Sequence, residues 1–382
     1  MRIHHVTPHF HPEKGGVETN VLGLSRYLVE RGHEVVVHTS QRTLLGSVLP
    51  AEEALDGIRI RRYRPLVQLG YYATLLRPRI EGADVVHLHG YGFLTNDSVA
   101  RKVHRTLPIM YSLHHGVAQP APTTGARVKR ALYDPLLGRR TLRRADAIVP
   151  ASEPDRQWLV AAGFPPNRIH ILPTGLGLDA FEPASPDRSR ERFHLTRYVV
   201  FLGRLHREKA PDHLLRAVAA LGNDWNGSVV FIGPDGGERA GLERLAAELG
   251  LRDRVVFAGE VDEGTKRDLL AGAECLVLPS FYEAQGIAIA EAWAQARPVI
   301  AARVGGIPYL VEQGQDGLLY PYGDVPALTA ALRELVMDRT YAARMGGAGL
   351  RKARSSLAWD RIASRIEELY LSLTSTAGRD RA

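Results

Sequence analysis

PSFYEAQGIAIAEAWAQARPVI, residues 279–300, is the stretch from which the rest of the chain can be interpreted. The apolar run Cys275–Ser280 that leads into it has the length and branched character of a buried parallel strand. A loop is predicted from Phe281 to Gln285, and small apolar residues predict a helix from Gly286 to Ala296. Pro298 ends that helix just before the next strand. The stretch is therefore predicted to form a strand end, a loop, a helix and a second strand.

Two carboxylates lie eight residues apart in this stretch, Glu283 in the predicted loop and Glu291 in the predicted helix. Between them, the backbone N–H groups of Ala284 to Ile287 would face out of the helix N-terminus, where unpaired donors and the helix dipole favour an anion. The loop thus offers two acceptors for sugar hydroxyls and a group of donors for a phosphate. Taken alone, the two carboxylates also fit a general acid and base pair, as in a hydrolase.

The length of 382 residues suggests two domains, each large enough for its own hydrophobic core. A single cysteine, Cys275, excludes an intramolecular disulfide, and its place in an apolar strand predicts a packed thiol. No apolar run approaches the roughly 20 residues of a membrane span. Met1-Arg2-Ile3 leads directly into a strand, so we expect a cytoplasmic protein without a signal segment.

Basic residues are concentrated in the first half of the chain. Residues 1–180 contain 23 Lys/Arg and 15 Asp/Glu, a net charge of +8, whereas the whole chain carries +7. Within Val99–Arg144, ten basic residues accompany one acidic residue, Asp134. The run fits a solvated helix face, and it fits equally well a surface for a phosphate-bearing acceptor or for peripheral contact with the inner face of an anionic membrane. Nucleic acid is disfavoured, because the run lacks interleaved aromatic residues and a recognised binding module.

Short apolar runs alternate with helical patterns along both halves of the chain, which predicts α/β domains with mostly parallel sheets. Strands are predicted at Ile3–Thr7, His33–Thr39, Ala83–His89, Pro108–His114, Ala145–Pro150, Arg168–Leu172, Tyr198–Leu202, Ser228–Gly233, Val255–Gly259, Glu274–Leu278 and Pro298–Ala301. Helical patterns cover Val17–Arg31, Val325–Met337 and Tyr341–Leu373, and a long polar stretch ends at Pro65. Phe181–Arg192 has the composition of a linker. In such sheets ligands bind beyond the carboxyl ends of the strands.

Two places at these strand ends in the first half carry candidate ligands. Gly15-Gly16 has no Cβ and permits close approach of a phosphate or a sugar, although glycines there are also common turn residues. His87, His89, His114 and His115 lie at the ends of later strands on the same predicted edge. Their spacing matches no metal-ligand pattern, so we expect no metal site and favour His114 as a hydrogen-bonding group beside a reacting sugar.

GRLHREKAP, residues 203–211, follows a predicted strand in the second half and carries Arg204 and Lys209. Two cations at the carboxyl end of a strand suit a diphosphate, because they neutralise charge that builds on a departing phosphate. Two unrelated surface cations would give the same pattern. The lack of a G-x-G-x-x-G motif after the first strand of either half argues against a dehydrogenase.

Together these motifs resemble glycosyltransferase family 4, whose members are retaining enzymes of the GT-B fold that use nucleotide-diphosphate sugars. The E-x7-E spacing of Glu283 and Glu291 is similar to the signature of that family. Further segments resemble it in order and spacing, so that the resemblance covers nearly the whole chain: Gly15–Thr39, Ile171–Phe181, Phe201–Pro211, Phe257–Val261 and Val304–Tyr320.

The resemblance implies two Rossmann-like α/β/α domains that face each other across a cleft, with a C-terminal helix crossing back to the first domain. The expected boundaries are 1–176 for the acceptor-binding domain and 177–195 for an interdomain linker. Residues 196–355 would form the donor-binding domain, and 356–382 would form the returning helix.

The resemblance also implies roles for single residues. Arg204 and Lys209 would hold the donor diphosphate, Glu283 would accept from the transferred sugar, and Glu291 from the ribose. The remaining donor-side contacts would come from Gly15 and Gly16 beneath the diphosphate, from the backbone near Val261 facing the base, and from N–H groups around Gln285, Gly286 and Ile287. His114, or its neighbour His115, would stand near the anomeric carbon.

The function implied is retaining transfer of a hexosyl group from a UDP- or GDP-sugar to a hydroxyl of a glycan, lipid-linked or small-molecule acceptor, without a cofactor or an obligatory metal. Gln285, Tyr309 and Thr174 depart from the residues usual at those positions, which bears on sugar and acceptor preference. A nucleotide-sugar epimerase and a non-catalytic sugar-binding protein are the alternatives.

Overall fold

The computed structural model describes residues 1–13, 15–114, 116–118 and 124–379. The chain divides into two compact units. The first, here called the N-terminal unit, comprises Met1–Gly175 together with the C-terminal segment that begins at Trp359. The second, called the C-terminal unit, comprises Leu176–Ala358. Each unit is built around its own buried sheet, as the length of the chain predicts.

The N-terminal unit contains a seven-stranded sheet in the order β3-β4-β2-β1-β7-β8-β9. Its elements are β1 (Arg2–Val6), α1 (Gly16–Glu30), β2 (Glu34–Ser40), β3 (Glu52–Leu55), β4 (Ile58–Tyr63), β5 (Val67–Leu69), β6 (Ala73–Leu75), β7 (Val85–His89), α2 (Leu94–Val103), β8 (Ile109–Ser112), α3 (Thr124–Tyr133), α4 (Arg139–Leu142), β9 (Ala147–Val149) and α5 (Glu153–Ala161). Only the β3–β4 pair of this sheet is antiparallel, and β5 and β6 form a separate hairpin.

The C-terminal unit contains a six-stranded parallel sheet in the order β12-β11-β10-β13-β14-β15. Its elements are α6 (Pro186–Arg192), β10 (Tyr198–Leu202), α7 (Pro211–Leu221), β11 (Ser228–Ile232), α8 (Arg239–Glu248), β12 (Val255–Gly259), α9 (Glu263–Gly272), β13 (Leu276–Leu278), α10 (Ile287–Ala294), β14 (Val299–Ala302), α11 (Ile307–Leu310), β15 (Gly317–Tyr320), α12 (Val325–Met337) and α13 (Arg339–Lys352). The central strands are apolar along their whole length because helices cover both faces of the sheet.

Each sheet reverses its strand order once. In the C-terminal unit the chain builds outward from β10 through β11 and β12, then returns to the other side of β10 with β13. In the N-terminal unit the corresponding reversal lies between β1 and β7. At such a point the loops that follow the two central strands lead to opposite sides and leave a crevice, where α/β proteins bind their ligands.

The C-terminal helix α14 (Trp359–Arg379) packs on the N-terminal unit. Its apolar face places Ile362, Ile366 and Tyr370 in the core beside α1, and Glu367 accepts from His33 at 2.7 Å. The helix that crosses back to the first domain is therefore confirmed.

The structure corrects several element predictions. Arg168–Leu172 is not a strand, since Ile169 forms only one isolated bridge to Ile148. The helical pattern over Tyr341–Leu373 is two helices, α13 and α14, because the chain turns to an extended conformation at Ala358. The polar stretch before Pro65 contains β3 and β4.

Residues 177–195, expected to be a linker, are part of the C-terminal unit. Helix α6 begins at a proline, which suits the first helical position, and it packs against α9. The Arg188 guanidinium lies 3.0 Å from the Asp268 carboxylate, and Leu195 is buried. These contacts order a segment whose composition alone resembles a linker.

Candidate active site

The carboxyl ends of β10 and β13 bring two charged loops together at the reversal point of the C-terminal sheet. Lys209, in the loop after β10, donates from Nζ to Oε1 of Glu283, in the loop after β13, at 2.6 Å. Ser280 Oγ donates to the same oxygen at 2.7 Å. Oε2 of Glu283 accepts no hydrogen bond from the described residues, so this oxygen is available to accept one from a ligand.

Backbone hydrogen bonds hold this pair of loops in place. The N–H of Phe281 donates to the carbonyl of Glu208 at 2.8 Å, and the N–H of Gly306 donates to the carbonyl of Glu283 at 2.9 Å. Gly305 has a φ of +52°, and a Cβ there would lie 2.1 Å from the Glu283 carbonyl oxygen. The loop after β14 can therefore approach Glu283 this closely only with glycine at position 305.

Arg204 lies on the other side of the loop after β10. The stem of its side chain packs against Gly236, where a Cβ would come within 2.9 Å of Arg204 Cγ. Its guanidinium is exposed, and no carboxylate of the described residues forms an ion pair with it. Arg204 and Lys209 thus present two cations at the carboxyl end of one strand, as the sequence predicts.

The helix after Glu283 begins slightly later and ends slightly earlier than its predicted range, with α10 running from Ile287 to Ala294. Gly286 is its N-cap in the left-handed conformation, with φ +76° and ψ +60°, and a Cβ there would lie 2.6 Å from Ile307. The first two helical N–H groups are those of Ile287 and Ala288. Ala284 and the buried Gln285 precede the cap, so within the predicted range Ala284 to Ile287 only Ile287 is a helical N–H donor, and Ala288 joins it.

Glu291 has a partner that the sequence did not indicate. Lys266 of α9 donates to Glu291 Oε1 at 2.6 Å and lies 2.7 Å from Glu263. Burial raises the pKa of the Glu291 carboxyl, and Lys266 opposes that rise. Burial alone would lower the pKa of Lys266, but the two carboxylates outweigh it and raise that pKa. No local pattern connects Lys266 with Glu291, because the two residues are on different helices.

Val261 lies next to this second pair. It is half-buried against the core and immediately precedes Asp262, which caps α9 by accepting from the Thr265 N–H at 2.9 Å. The capped helix carries Lys266 on its second turn. Val261 thus lies in the segment that leads into α9, the helix whose Lys266 binds Glu291.

Gly15 and Gly16 start α1 at the reversal point of the N-terminal sheet. A Cβ on Gly15 would lie 2.3 Å from Oε2 of Glu18, whereas a Cβ on Gly16 would meet nothing within 4 Å. Glu18 is buried in the first helical turn, and Tyr71 donates to it at 3.1 Å. Burial raises the pKa of Glu18, whereas the hydrogen bond from Tyr71 opposes that rise.

His114 lies at the outer end of a chain of hydrogen-bonded imidazoles in the N-terminal unit. Its Nε2 is 2.9 Å from His89 Nδ1, and His89 Nε2 is 2.8 Å from His5 Nδ1. His114 adopts a φ of +56°, a conformation that few residues other than glycine take up. Since each neutral imidazole donates through one nitrogen and accepts through the other, the three tautomers are coupled. His115, the alternative to His114, lies outside the described residues.

The buried histidines do form a cluster, although their spacing in the sequence indicated none. Among the described residues, the nitrogens of His5, His87 and His89 lie within 4.8 Å of one another, close enough to share a metal ion. His87 is already bonded to Tyr370 at 2.6 Å and to Ser112 at 2.7 Å. Hydrogen bonds therefore engage every ring nitrogen of the cluster except His5 Nε2.

The basic segment of the N-terminal unit forms α3, a π-helical turn and α4. Val128, Leu132 and Leu136 are each more than half exposed along it, at a spacing of four residues. The exposed Arg140 and Arg143 lie near its end, and the side chains of Arg127 and Lys129 are outside the described residues. This surface is thus both apolar and basic. None of the helices in the described part of the chain has the length and apolar character that a membrane span requires.

Comparison with known proteins agrees with this architecture. The model of the Glycosyltransferase Family 4 domain matches residues 14–180, and that of the Glycosyl transferases group 1 domain matches residues 196–338. D-inositol 3-phosphate glycosyltransferase of Xylanimonas cellulosilytica is 30% identical, with 95% of this chain and 93% of that protein covered. The protein of the same name from Thermomonospora curvata is 29% identical, with 95% and 92% covered.

Solved structures show the same fold. Sucrose-phosphate synthase from Thermosynechococcus elongatus superposes with a TM-score of 0.77 at 23% identity, covering 98% of this chain and 99% of that one. HepE of Anabaena in complex with UDP gives a TM-score of 0.73 at 19% identity, covering 97% and 100%.

The two Rossmann-like units have the GT-B fold, which confirms the predicted fold class. Within that class, the chain belongs to glycosyltransferase family 4, the glycosyl transferases group 1. It is therefore a sugar-transferring enzyme, and the predicted family is confirmed.

Proposed function

We propose that the protein is a retaining hexosyltransferase that takes its sugar from a UDP- or GDP-sugar. The observation that carries this proposal is the Lys209–Glu283 pair at 2.6 Å, with Arg204 on the same loop. A cation beside a sugar-binding carboxylate places charge compensation next to the bond that must break. Two cations on one loop suit the two phosphates of a nucleotide diphosphate.

In the mechanism we propose, the acceptor hydroxyl attacks the anomeric carbon on the face from which the nucleotide diphosphate leaves. The bond between the anomeric carbon and the phosphate oxygen breaks as the new glycosidic bond forms, and that oxygen takes the proton of the acceptor. Arg204, Lys209 and the N–H groups of Ile287 and Ala288 stabilise the charge growing on the phosphate. Groups that are already oriented before the reaction supply this stabilisation without reorganising.

Glu283 and Glu291 hold hydroxyl groups in this mechanism. Glu283 has one oxygen engaged by Lys209 and Ser280 and presents the other to the transferred sugar. Glu291 presents its second oxygen to the ribose, while Lys266 favours the charged form of the carboxylate. Neither residue is required as a general acid or base, since the phosphate carries the proton. The backbone at Val261 is assigned to the nucleotide base.

The roles proposed for Gly15, Gly16 and His114 in the N-terminal unit are those of donor contacts, as the family resemblance implies. The acceptor is assigned to the same unit. The relatives named above are D-inositol 3-phosphate glycosyltransferases, and a small phosphorylated polyol is accordingly the first acceptor to examine. We propose that no metal is obligatory, because Arg204 and Lys209 supply the positive charge that the diphosphate needs.

We also propose that the basic segment docks on an anionic membrane surface. Val128, Leu132 and Leu136 would enter the interfacial region while the neighbouring arginines attract acidic headgroups. The apolar exposure supports this interpretation over a merely solvated face, since a solvated helix face is normally polar.

The decisive experiment identifies the donor and the stereochemistry together. Comparing how strongly UDP, GDP and ADP stabilise the protein against heat identifies the base of the donor. Proton NMR of the product formed from the matching sugar nucleotide then gives the anomeric configuration. A product with the donor's α configuration supports the proposal. An inverted anomer contradicts the mechanism, and an epimerised sugar nucleotide formed without acceptor would favour the epimerase alternative.

A further inference from the structure

A cavity of about 200 Å³ opens on the side of the C-terminal unit opposite the donor loops. Residues just before β10, β13 and β14 line it, so it lies at the amino ends of the three strands whose carboxyl ends carry the loops of the candidate active site. Since β10 has five residues, the two edges of the sheet are about 16 Å apart. The cavity is therefore separate from the donor site.

Arginine dominates the charged lining of this cavity. The charged residues that line it are Arg190, Arg197, Glu274, Arg297 and Arg339. Glu274, the single acid among them, accepts from Arg197 Nε and from Trp225 Nε1, both at 2.7 Å, and lies 3.8 Å from Arg339. The charge of Glu274 is thus compensated by Arg197, with Arg339 nearby.

Arg190 is paired with the exposed Asp187 at 3.1 Å, whereas Arg297 has no carboxylate partner among the described residues. Its guanidinium is half-buried and donates to the carbonyl of Ala273 at 3.3 Å, and no described carboxylate forms an ion pair with it. Its Nε–H is buried without a partner, as is the Nε–H of Arg190. Burial and the like charge of Arg190 lower the pKa of Arg297, so that the surroundings oppose its charge.

A partly buried cation without a partner destabilises a fold, because burial removes water that would otherwise solvate the charge. The two Nε–H groups are enclosed by protein atoms, so a ligand in the cavity would contact the terminal nitrogens of the guanidinium groups instead. Waters, which take up only about 30 Å³ each, could solvate those nitrogens. They would leave the charge uncompensated. An anion in the cavity would accept from the same terminal nitrogens and would also offset the charge of Arg297.

We propose that this cavity is a binding site for a phosphate group, either inorganic phosphate or the phosphate of a small monoester, held by Arg297 and Arg190. The planar guanidinium groups suit the oxygens of a tetrahedral dianion. The ligand bridges α6 and the turn between α10 and β14, and its binding stabilises the C-terminal unit.

The test uses the full-length protein with the donor site disabled, because phosphate would also compete for the diphosphate site. The background is the Arg204→Met/Lys209→Met double variant, and Tm is measured in phosphate and in chloride at equal ionic strength. We expect a saturable rise in Tm with phosphate. Arg297→Met in that background should weaken the effect about tenfold or more, the value of one charged hydrogen bond.

Arg216→Met is the matched control, since Arg216 is an exposed arginine of α7 outside the cavity. It should respond to phosphate as the background does. The same response in Arg297→Met, or none in the background, would overturn the proposal. If Arg297→Met does not fold, Arg190→Gln provides the same comparison. Because the donor loops are disabled throughout, failure here leaves the proposed transferase mechanism untouched.

Titrating glycerol 3-phosphate beside inorganic phosphate distinguishes the two ligand sources. A larger rise with the monoester at equal concentration identifies a phosphorylated metabolite as the occupant. A smaller rise identifies free phosphate. Either result supports the site only if Arg297→Met weakens the rise in Tm with the preferred ligand.

Discussion

Lys209 Nζ lies 2.6 Å from Glu283 Oε1, although the two residues are 74 positions apart in the chain. The pair joins the loops that leave β10 and β13 at the reversal point of the sheet. It links the cation that we propose for the diphosphate with the carboxylate that we propose for the transferred sugar. A substitution at either position therefore weakens or removes the contact between them, and the first two predictions ask which function each residue serves.

Lys209→Ala should reduce transfer by about 10²–10³, because the charge on the leaving phosphate loses a preorganised partner. Steady-state kinetics with the identified donor measure the effect on kcat. Arg207→Ala is the control, since Arg207 is an exposed cation two residues away. Near-normal turnover in Lys209→Ala, or an equal loss in Arg207→Ala, would contradict the role of Lys209.

Glu283→Gln should lower kcat while leaving the affinity for free nucleotide diphosphate largely intact. The amide keeps the shape of the carboxylate and loses its charge, so the bond from Lys209 weakens and the sugar is held less well. Calorimetry with the nucleotide diphosphate separates the two effects. Glu208→Gln, which lies on the neighbouring loop, provides the comparison. A large loss of nucleotide diphosphate affinity in Glu283→Gln would indicate that Glu283 acts on the binding of the phosphates and not on that of the sugar.

Lys266→Met should make stability depend on pH through Glu291. Without Lys266 the pKa of Glu291 rises further above its usual 4.5, because burial remains and the opposing charge is gone. A carboxyl whose folded pKa is raised stabilises the fold below its unfolded pKa and loses that contribution as pH rises through the folded pKa. The Tm difference from the wild type should thus widen from pH 4.5 upward. Adding Glu291→Gln should abolish the widening.

The buried histidines should make the N-terminal unit sensitive to acid. Burial lowers the pKa of His5 and of His38 to about 3, from an unfolded value of 6.5. A base whose pKa is depressed in the fold contributes stability that is complete above 6.5 and is lost as pH falls toward the folded pKa. Each group contributes up to about 1.4 kcal/mol per pH unit in that window.

His38→Gln should reduce this acid dependence, because the amide offers a donor and an acceptor to His4 and Tyr63 without titrating. Calorimetric unfolding between pH 7 and 4 measures the slope. His104→Gln, at a half-exposed histidine outside the cluster, should leave the slope unchanged. An unaltered slope in His38→Gln would assign the acid sensitivity to other groups.

Leu132→Ser/Leu136→Ser should weaken binding to vesicles that contain acidic lipid, since both side chains are exposed on the basic segment. Sedimentation at low and high salt separates the apolar and electrostatic contributions. Leu45→Ser is the control, because Leu45 is 98% exposed in a different part of the N-terminal unit. If the Leu132→Ser/Leu136→Ser variant binds the vesicles as well as Leu45→Ser does, the basic segment is an ordinary solvated face.

Much of the architecture is encoded in local patterns. The apolar runs that predict β1, β2, β7, β8 and β10 to β14 are short, branched and bounded by glycine or proline, so each could be recognised alone. The missed strand β4, Ile58–Tyr63, also carried a signal, since its first residues alternate apolar and polar after an Asp56-Gly57 turn. The strand predicted at Arg168–Leu172 was wrong, because an apolar run does not reveal whether a neighbouring strand is free to pair with it.

Some residues of the candidate site could be predicted from the sequence, and others became apparent only in the structure. Arg204, Lys209 and Glu283 were predicted from residue type and position after a strand, because loops at the carboxyl ends of parallel strands converge on one edge, and Lys209 and Glu283 do meet there. Glu291 was predicted from its spacing to Glu283. Lys266, the partner of Glu291, was not, and neither was the contact between His5 and His89, which are 84 residues apart. Local sequence specifies which segments become strands and helices, since hydrophobic periodicity and turn residues act over a few positions. The order of strands in each sheet decides which side chains meet, and that order follows from the packing of the whole unit.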